Sequence, residues 1–199
     1  MNDVVGGLNL DEDALILASQ LSPLGQVKCS AVLKEVEEKV LREISLNPGV
    51  VSVLRYCNEV NLNAAVVTRN IEKVTERLVD LVGITRSDGS FVLDPMLARN
   101  SVNTKTGEVI RAKPNPDALI MVCETWGLEV GEVVMVGDSL EDDVQAAGRA
   151  GCRSLLIDTG FDNSTGNKRS DVGSGVMYEP DWTVSEFADV LGVLKENGL

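Results

Sequence analysis

Two carboxylates that follow an apolar run are the most chemically specific feature of this 199-residue sequence. Val133–Val136 form the run, Gly137 and Asp138 follow it, and Asp142 comes four residues later at the start of a predicted helix. Gly137 lets the backbone approach closely, and one-turn spacing allows both carboxylates to converge on a hard cation such as Mg²⁺. Asp143 lies about 100° further round a helix, so we expect it to be exposed.

A second segment places polar side chains directly before a predicted helix. Thr68, Arg69 and Asn70 follow the apolar strand Ala64–Val67. A helix N-terminus offers unpaired N–H groups and a partial positive charge, which suit a phosphate group. A third segment carries Lys113 on a loop stiffened by two neighbouring prolines, which predicts a positioned cation.

Each segment also has a purely structural interpretation. Thr68 and its neighbours can cap the following helix, and Lys113 can be an ordinary solvated lysine. Asp138 or Ser139 can cap the helix that follows Val133–Val136. Capping needs one acidic residue, whereas several follow Gly137, and this favours cation binding there.

The elements that must position these residues alternate after Gly49, which predicts an α/β fold with a mostly parallel sheet covered on both faces. The predicted strands are Ala64–Val67, Val133–Val136, Arg153–Ile157 and Trp182–Val184. The predicted helices are Val50–Asn58, Ile71–Val82, Pro116–Trp126, Leu140–Ala150 and Ser185–Glu196. In a parallel sheet, the functional loops lie at the carboxyl ends of the strands.

Four other segments complete the organisation. Helical spacing predicts a helix over Ser30–Leu46, and Asp11–Asp13 is typical of the acidic first turn of an earlier one. Residues Asp88–Ala112 contain two turn signals and predict a hairpin-like excursion. Residues Gly160–Gly175 are rich in Gly, Ser, Asn and Asp, which predicts a surface loop.

Composition excludes several classes of function. Asp and Glu number 31 against 18 Lys and Arg, and the net charge of -13 disfavours nucleic acid and anionic membranes as partners. The absence of histidine excludes catalytic triads and HExxH zinc sites. The four cysteines are far apart, which predicts buried apolar side chains without a disulfide or zinc. No signal peptide or spanning segment is evident, so we expect a cytoplasmic protein, or an organellar one if an upstream transit peptide is missing.

Taken together, the three polar segments resemble motifs two, three and four of the haloacid dehalogenase-like hydrolases, in particular the phosphoglycolate phosphatase-like branch. Val66–Asn70 resembles the second motif and Lys113–Pro116 the third. Val136–Asp142, followed by Ala147–Gly151, resembles the fourth. The order agrees with the family, and the resemblance implies a Rossmann-like three-layer sandwich.

The resemblance also implies a role for each matching residue. Family members mostly hydrolyse phosphate esters with Mg²⁺, through a first-strand aspartate that forms an aspartyl-phosphate. The residues implied to bind the phosphoryl group are Thr68, Arg69, Asn70 and Lys113, of which Thr68 and Lys113 are catalytic. Asp138 is implied as a direct metal ligand, and Asp142 as a ligand through a metal-bound water or as the partner of Lys113.

The first motif of the family has no good match. Asp11-Glu12-Asp13 has the right spacing, but a glycine-containing segment precedes it and the expected Gly and Thr do not follow. We therefore expect residues 1–46 to be a helical, partial cap segment and residues 47–199 to be the hydrolase core. A missing central strand predicts unpaired backbone groups on its two neighbours, an apolar gap, low stability and turnover near background.

Two functions from different classes follow. The first is a Mg²⁺-dependent phosphatase of small phosphorylated metabolites, which we expect to be inactive here because the strand with the nucleophile is missing. The second is a catalytically dead module that binds a phosphorylated ligand or a protein through Thr68, Lys113 and the loops. A phosphoacceptor receiver domain is disfavoured, because its acidic residues should precede the threonine and lysine.

Overall fold

The computed structural model describes residues 20–158 and 178–199, and it divides the chain into two compact units between Ile44 and Ser45. In the first unit, helix α1 spans Pro23–Glu43. Exposed ion pairs join Lys39 to Glu43 and Arg42 to Glu38 across single turns of this helix. The helix predicted after Asp11–Asp13 and the loop predicted at 160–175 lie outside the described residues. The domain boundary at residues 46 and 47 stays a prediction.

The second unit alternates helices and strands, which confirms the α/β class. The strands are β1 (Ala64–Val67), β2 (Leu93–Leu97), β3 (Val134–Gly137), β4 (Arg153–Ile157) and β5 (Trp182–Val184). The helices are α2 (Val50–Glu59), α3 (Glu72–Val82), α4 (Asp117–Trp126), α5 (Gln145–Ala150) and α6 (Val190–Glu196). Short 3₁₀ turns at Val130–Glu132 and Phe187–Asp189 precede β3 and α6. No helix in the described ranges combines the length and apolar character that crossing a bilayer demands.

All strand pairs in the described residues are parallel, and they form two separate sheets. β1 pairs with β2 in one sheet, and the other sheet has the order β3-β4-β5. Helices lie on both faces of the β3–β5 sheet. Val53 of α2 and Val190 of α6 belong to a cluster with Val136 of β3. Leu119 of α4 and Ala146 of α5 belong to a second cluster, which includes Met135 of β3. This layering is the environment in which parallel strands occur.

The hairpin predicted across Asp88–Ala112 is wrong for its first half. Residues Leu93–Leu97 instead form β2, a parallel neighbour of β1. Pro95 concealed this strand in the sequence, but proline is tolerated because β2 pairs on one side only within the described residues. The second half of the prediction is confirmed, because Val102 and Val109 form an antiparallel bridge on either side of the predicted turn.

The four cysteines are buried and free, as the sequence predicts. Cys123 and Cys152 approach each other within the core, with 3.9 Å between their sulfur atoms. Burial, reinforced by the neighbouring Cys123 thiol, raises the pKa of Cys152 to about 12. These side chains therefore act as small apolar core residues.

Candidate active site

Lys113 connects the carboxyl ends of β1 and β3. Its ammonium group donates one hydrogen bond to the backbone carbonyl of Val67, at 3.1 Å, and another to Asp143 Oδ1, at 2.5 Å. The Lys113 side chain is only 12% exposed, so both partners compensate a largely desolvated charge. Arg149 donates to the carbonyl of Pro114 at 3.2 Å and fixes the loop from the side of α5. Lys113 is thus a positioned cation rather than an ordinary solvated lysine.

Asp143 is buried, and the prediction that it is exposed is wrong. Its residue is 4% exposed, and its Oδ2 accepts a hydrogen bond from the Ser139 N–H at 3.1 Å. A Cβ on residue 137 would overlap this carboxylate, so the glycine at the end of β3 makes room for it. The ion pair with Lys113 and the bond from Ser139 together offset the cost of burying the charge.

A π-helical turn over Leu140–Val144 explains why sequence reasoning missed Asp143. The Ser139 carbonyl accepts from both Asp143 N, at 2.9 Å, and Val144 N, at 3.2 Å. This wider turn precedes α5, so side-chain directions estimated for an α-helix over Leu140–Ala150 do not apply. Ser139 also caps the turn, because its Oγ accepts from Asp142 N at 3.0 Å.

Asp142 points to a different partner. Its Oδ2 accepts from Arg69 at 2.8 Å, and the two side chains are 28% and 45% exposed. The suggestion that Asp142 holds Lys113 is therefore wrong, since Asp143 takes that position. Arg69 and Asp142 nonetheless join the segment after β1 to the segment after β3 at the same edge of the unit.

Thr68 lies immediately after β1 and turns the chain toward α3. Its Oγ1 accepts from the backbone N–H of Asn70 at 3.1 Å and from the Asn70 side-chain amide at 3.2 Å. Its own N–H donates to the Leu97 carbonyl at 2.9 Å, which continues the β1–β2 ladder. The hydroxyl therefore holds a local turn and is half-buried.

One small pocket, of about 20 Å³, brings Thr68, Arg69 and Lys113 together. Its size admits about one water molecule, so a phosphoryl group would lie over its opening. Arg99 and Arg111 also line it, and sequence reasoning missed both. The only sequence signal for Arg111 is its place two residues before Lys113.

Arg111 is held by Asp117, the first residue of α4. Two hydrogen bonds of 2.7 Å join the guanidinium to the two carboxylate oxygens. These bonds lower the pKa of Asp117 and raise the pKa of Arg111. The pair fixes the strand-to-helix connection on which Lys113 lies.

Asp138 is exposed at the tip of β3. No hydrogen bond or ion pair joins its carboxylate to another side chain in the described ranges, whereas Asp142 is held by Arg69. The described part of the chain contains no cluster of three or more acidic, histidine or cysteine side chains that could hold a metal. Two carboxylates still suit Mg²⁺, which commonly takes one or two from the protein and completes its shell with water and substrate phosphate.

Comparisons with known proteins show what this chain is similar to. The family model described as HAD-hydrolase-like, where HAD stands for haloacid dehalogenase, matches residues 110–190, which include Lys113 and the π-helical turn. A haloacid dehalogenase-like hydrolase domain-containing protein of Arabidopsis thaliana is 28% identical over 176 residues, covering 88% of this chain and 64% of that protein. The chain is thus similar to haloacid dehalogenase-like hydrolases.

Other proteins are similar to this chain over part of their length. The phosphoglycolate phosphatase of Aliivibrio fischeri is 32% identical over 130 residues, covering 62% of this chain and 53% of that enzyme. The crystal structure of a hydrolase from Pseudomonas syringae has a TM-score of 0.66 and covers 94% of this chain and 80% of that one; at 16% identity it supports the fold alone. The chain spans between about half and two thirds of the length of the curated relatives it matches first.

Proposed function

We propose that this protein is a Mg²⁺-dependent phosphatase of small phosphorylated metabolites. In this proposal, the residues after β1 and β3 form the phosphate-binding half of the active site. One observation carries the proposal: Lys113 bonds to Val67 at the end of β1 and to Asp143 beyond the end of β3. A cation fixed between two strand ends is suited to neutralise a phosphoryl group.

The other residues supply the rest of this half-site. The Thr68 hydroxyl and the backbone N–H of Arg69 would bind phosphoryl oxygens at the turn before α3, where Asn70 holds Thr68 in place. Asp138 would hold Mg²⁺ directly, and Asp142 would act through a water molecule. When bound, the metal would draw charge from the phosphoryl oxygens. Lys113 would keep the phosphoryl group oriented, because its own position is fixed by Asp143.

Hydrolysis through an aspartyl-phosphate also needs a nucleophilic carboxylate on a strand between β1 and β3. No strand of the described residues lies there. We therefore expect the described residues by themselves to bind phosphate with turnover near background, although the relatives of this chain include enzymes named phosphoglycolate phosphatase.

Phosphate binding tests the proposal directly. We expect titration calorimetry with inorganic phosphate to show binding that Mg²⁺ strengthens severalfold. Asp138→Asn should remove the Mg²⁺ effect and keep the basal binding. The double variant Lys113→Met/Asp143→Asn, which leaves no unpaired buried charge, should reduce phosphate affinity at least tenfold.

Lys105→Met is the matched control, because Lys105 is also ion-paired, to Glu124 at 2.7 Å, but lies 69% exposed outside the pocket. It should bind phosphate as the parent does. Equal phosphate affinity for the parent and the double variant, with both folded by circular dichroism, would contradict the proposal.

The second candidate is a binding module without catalysis, favoured by the Arg69–Asp142 ion pair, which occupies one of the two candidate metal ligands. This function predicts phosphate binding that does not depend on Mg²⁺ and is unchanged by Asp138→Asn. The same titrations therefore separate the two candidates.

A further inference from the structure

Arg69 and Asp142 join the candidate phosphate site to the candidate metal site. Arg69 follows β1 and lines the small pocket together with Thr68 and Lys113. Its guanidinium donates to Asp142 Oδ2 at 2.8 Å, and Asp142 is the carboxylate expected to act on Mg²⁺ through a water molecule. One ion pair therefore connects a side chain suited to phosphate with a side chain suited to the metal.

Two other cations at the pocket are paired with carboxylates that have no part in the proposed metal site. Lys113 is paired with the buried Asp143, and Arg111 is held by two hydrogen bonds of 2.7 Å to Asp117. A cation whose charge is already compensated attracts a phosphate dianion less strongly. Of these three cations, Arg69 is therefore the one that metal binding can release.

Asp142 is the fixed partner of the pair. It lies in the π-helical turn, where its N–H donates to Ser139 Oγ at 3.0 Å. Its side chain is 28% exposed, so a hydrated cation can reach it, whereas the Asp143 side chain is 6% exposed. An exchange of partners at the Asp142 carboxylate therefore does not require the turn to open.

Arg69 is the partner that can move. Its long side chain is 45% exposed, so rotation about its side-chain bonds is open to it. The donors of a guanidinium form a planar fork that fits two oxygens of a phosphate. A phosphoryl group over the opening of the pocket lies beside the residues that line it, and Arg69 is one of them. The guanidinium can thus turn from Asp142 to phosphate without a change in the backbone.

Arg69 and Mg²⁺ carry charges of the same sign, so they compete for Asp142. A carboxylate that serves a metal-bound water and a guanidinium together brings two cations close to each other, which costs free energy. Phosphate lowers this cost, because it accepts the guanidinium that Asp142 releases. Binding at the two sites is then coupled, and each ligand must strengthen the other by the same factor.

We propose that Arg69 exchanges partners: it pairs with Asp142 when Mg²⁺ is absent and binds the phosphoryl group when Asp142 serves the metal. Arg69 thereby weakens the binding of Mg²⁺ alone and strengthens the binding of Mg²⁺ and phosphate together. The inference rests on the proposed function, because it adds a coupling between the two ligands of the same site. It also explains how an arginine can hold a candidate metal ligand without abolishing the metal site.

Calorimetric titration of the full chain with Mg²⁺ alone tests the first half of the exchange. Arg69→Met should bind Mg²⁺ about two- to fivefold more tightly than the parent, which is the range that the loss of one exposed ion pair supports. Arg111→Met is the matched control, because it also breaks an arginine–carboxylate pair at the pocket but leaves Asp142 untouched. Its Mg²⁺ affinity should equal that of the parent.

Titration with inorganic phosphate after removal of Mg²⁺ by EDTA tests the second half. Asp142→Asn releases Arg69 and should strengthen phosphate binding about two- to fivefold. The same substitution in an Arg69→Met background should give little or no gain, because no guanidinium remains to be released. This double-mutant cycle separates the exchange of partners from a general change of charge.

Three results overturn the inference in variants that circular dichroism shows to be folded. The first is a Mg²⁺ affinity of Arg69→Met that does not exceed those of both the parent and Arg111→Met. The second is an equal gain from Asp142→Asn with and without Arg69. The third is an Arg69 Nε–H resonance that Mg²⁺ and phosphate together leave unshifted in the parent.

Phosphate binding distinguishes this failure from failure of the proposed function. If the parent binds phosphate and Lys113→Met/Asp143→Asn binds it weakly, the three results above refute the partner exchange alone. A parent that binds no phosphate contradicts the proposed function and the partner exchange together.

Discussion

At the residue scale, the buried ion pair between Lys113 and Asp143 organises the candidate site. Lys113 and Asp143 are 12% and 6% exposed as side chains, whereas the neighbouring pair of Arg69 and Asp142 is much more open. Buried and exposed pairs differ mainly in the cost of losing one partner. The effect of breaking the buried pair can therefore be compared with the effect of breaking the exposed pair in the same site.

Asp143→Asn should be strongly destabilising, because it leaves the buried Lys113 ammonium without a countercharge. Loss of one partner from a buried pair costs about 3 to 5 kcal/mol, whereas an exposed pair contributes up to about 1 kcal/mol. Asp142→Asn is the matched control. Urea unfolding of both variants measures the difference, and equal losses would show that the Lys113 charge is not desolvated.

The Cys152 thiol should resist alkylation in the folded protein. Its pKa is raised to about 12 from an ordinary value of 9.0, so almost no thiolate exists at pH 8. We expect iodoacetamide to label it slowly at pH 8 and rapidly in urea. Because the unfolded thiol ionises first, folding stability should also fall between about pH 9 and 12. Rapid labelling of the native chain would contradict the burial of this core.

At the element scale, β3 and the π-helical turn after it act as one unit. The turn directs Asp143 inward and leaves Asp142 at the surface, and Gly137 provides the space that the Asp143 carboxylate fills. π-helical turns of this kind are frequent at functional sites. The strand and the turn therefore act jointly to position the carboxylates of the candidate site.

Gly137→Ala should destabilise the protein by about 1 to 3 kcal/mol, because the new methyl group overlaps the Asp143 carboxylate. It should also weaken phosphate binding. Gly131→Ala is the control, since nothing lies within 4 Å of a Cβ at that position. Thermal unfolding of the two variants measures the difference in stability. Similar midpoints for both would contradict the close contact between residue 137 and the Asp143 carboxylate.

Sequence patterns predicted some of these elements and missed others for physical reasons. Three predicted strands match the observed ones, because each is a short β-prone run between turn signals. They are Ala64–Val67, Arg153–Ile157 and Trp182–Val184. β2 was missed because Asp94 and Pro95 interrupt its apolar pattern. The inward position of Asp143 depends on its tertiary contact with Lys113, which no local pattern encodes.

At the scale of the whole molecule, the second unit has two parallel sheets with helices around them. An apolar cavity of about 470 Å³ lies between β1 and β3. The Lys113 and Arg69 contacts link the segments after β1 to those after β3 at one end. Residues of the helices α2 and α4 line this cavity. The sheets thus depend on helix packing and on a few polar contacts for their connection.

This arrangement has a consequence for how the molecule opens. Without ladder hydrogen bonds between β1 and β3, the β1–β2 half and the β3–β5 half should behave as separate cooperative units. Native-state amide exchange should give two distinct opening free energies, one for each half. A single value shared by all strand amides would show that helix packing alone is enough to make the molecule unfold in one step.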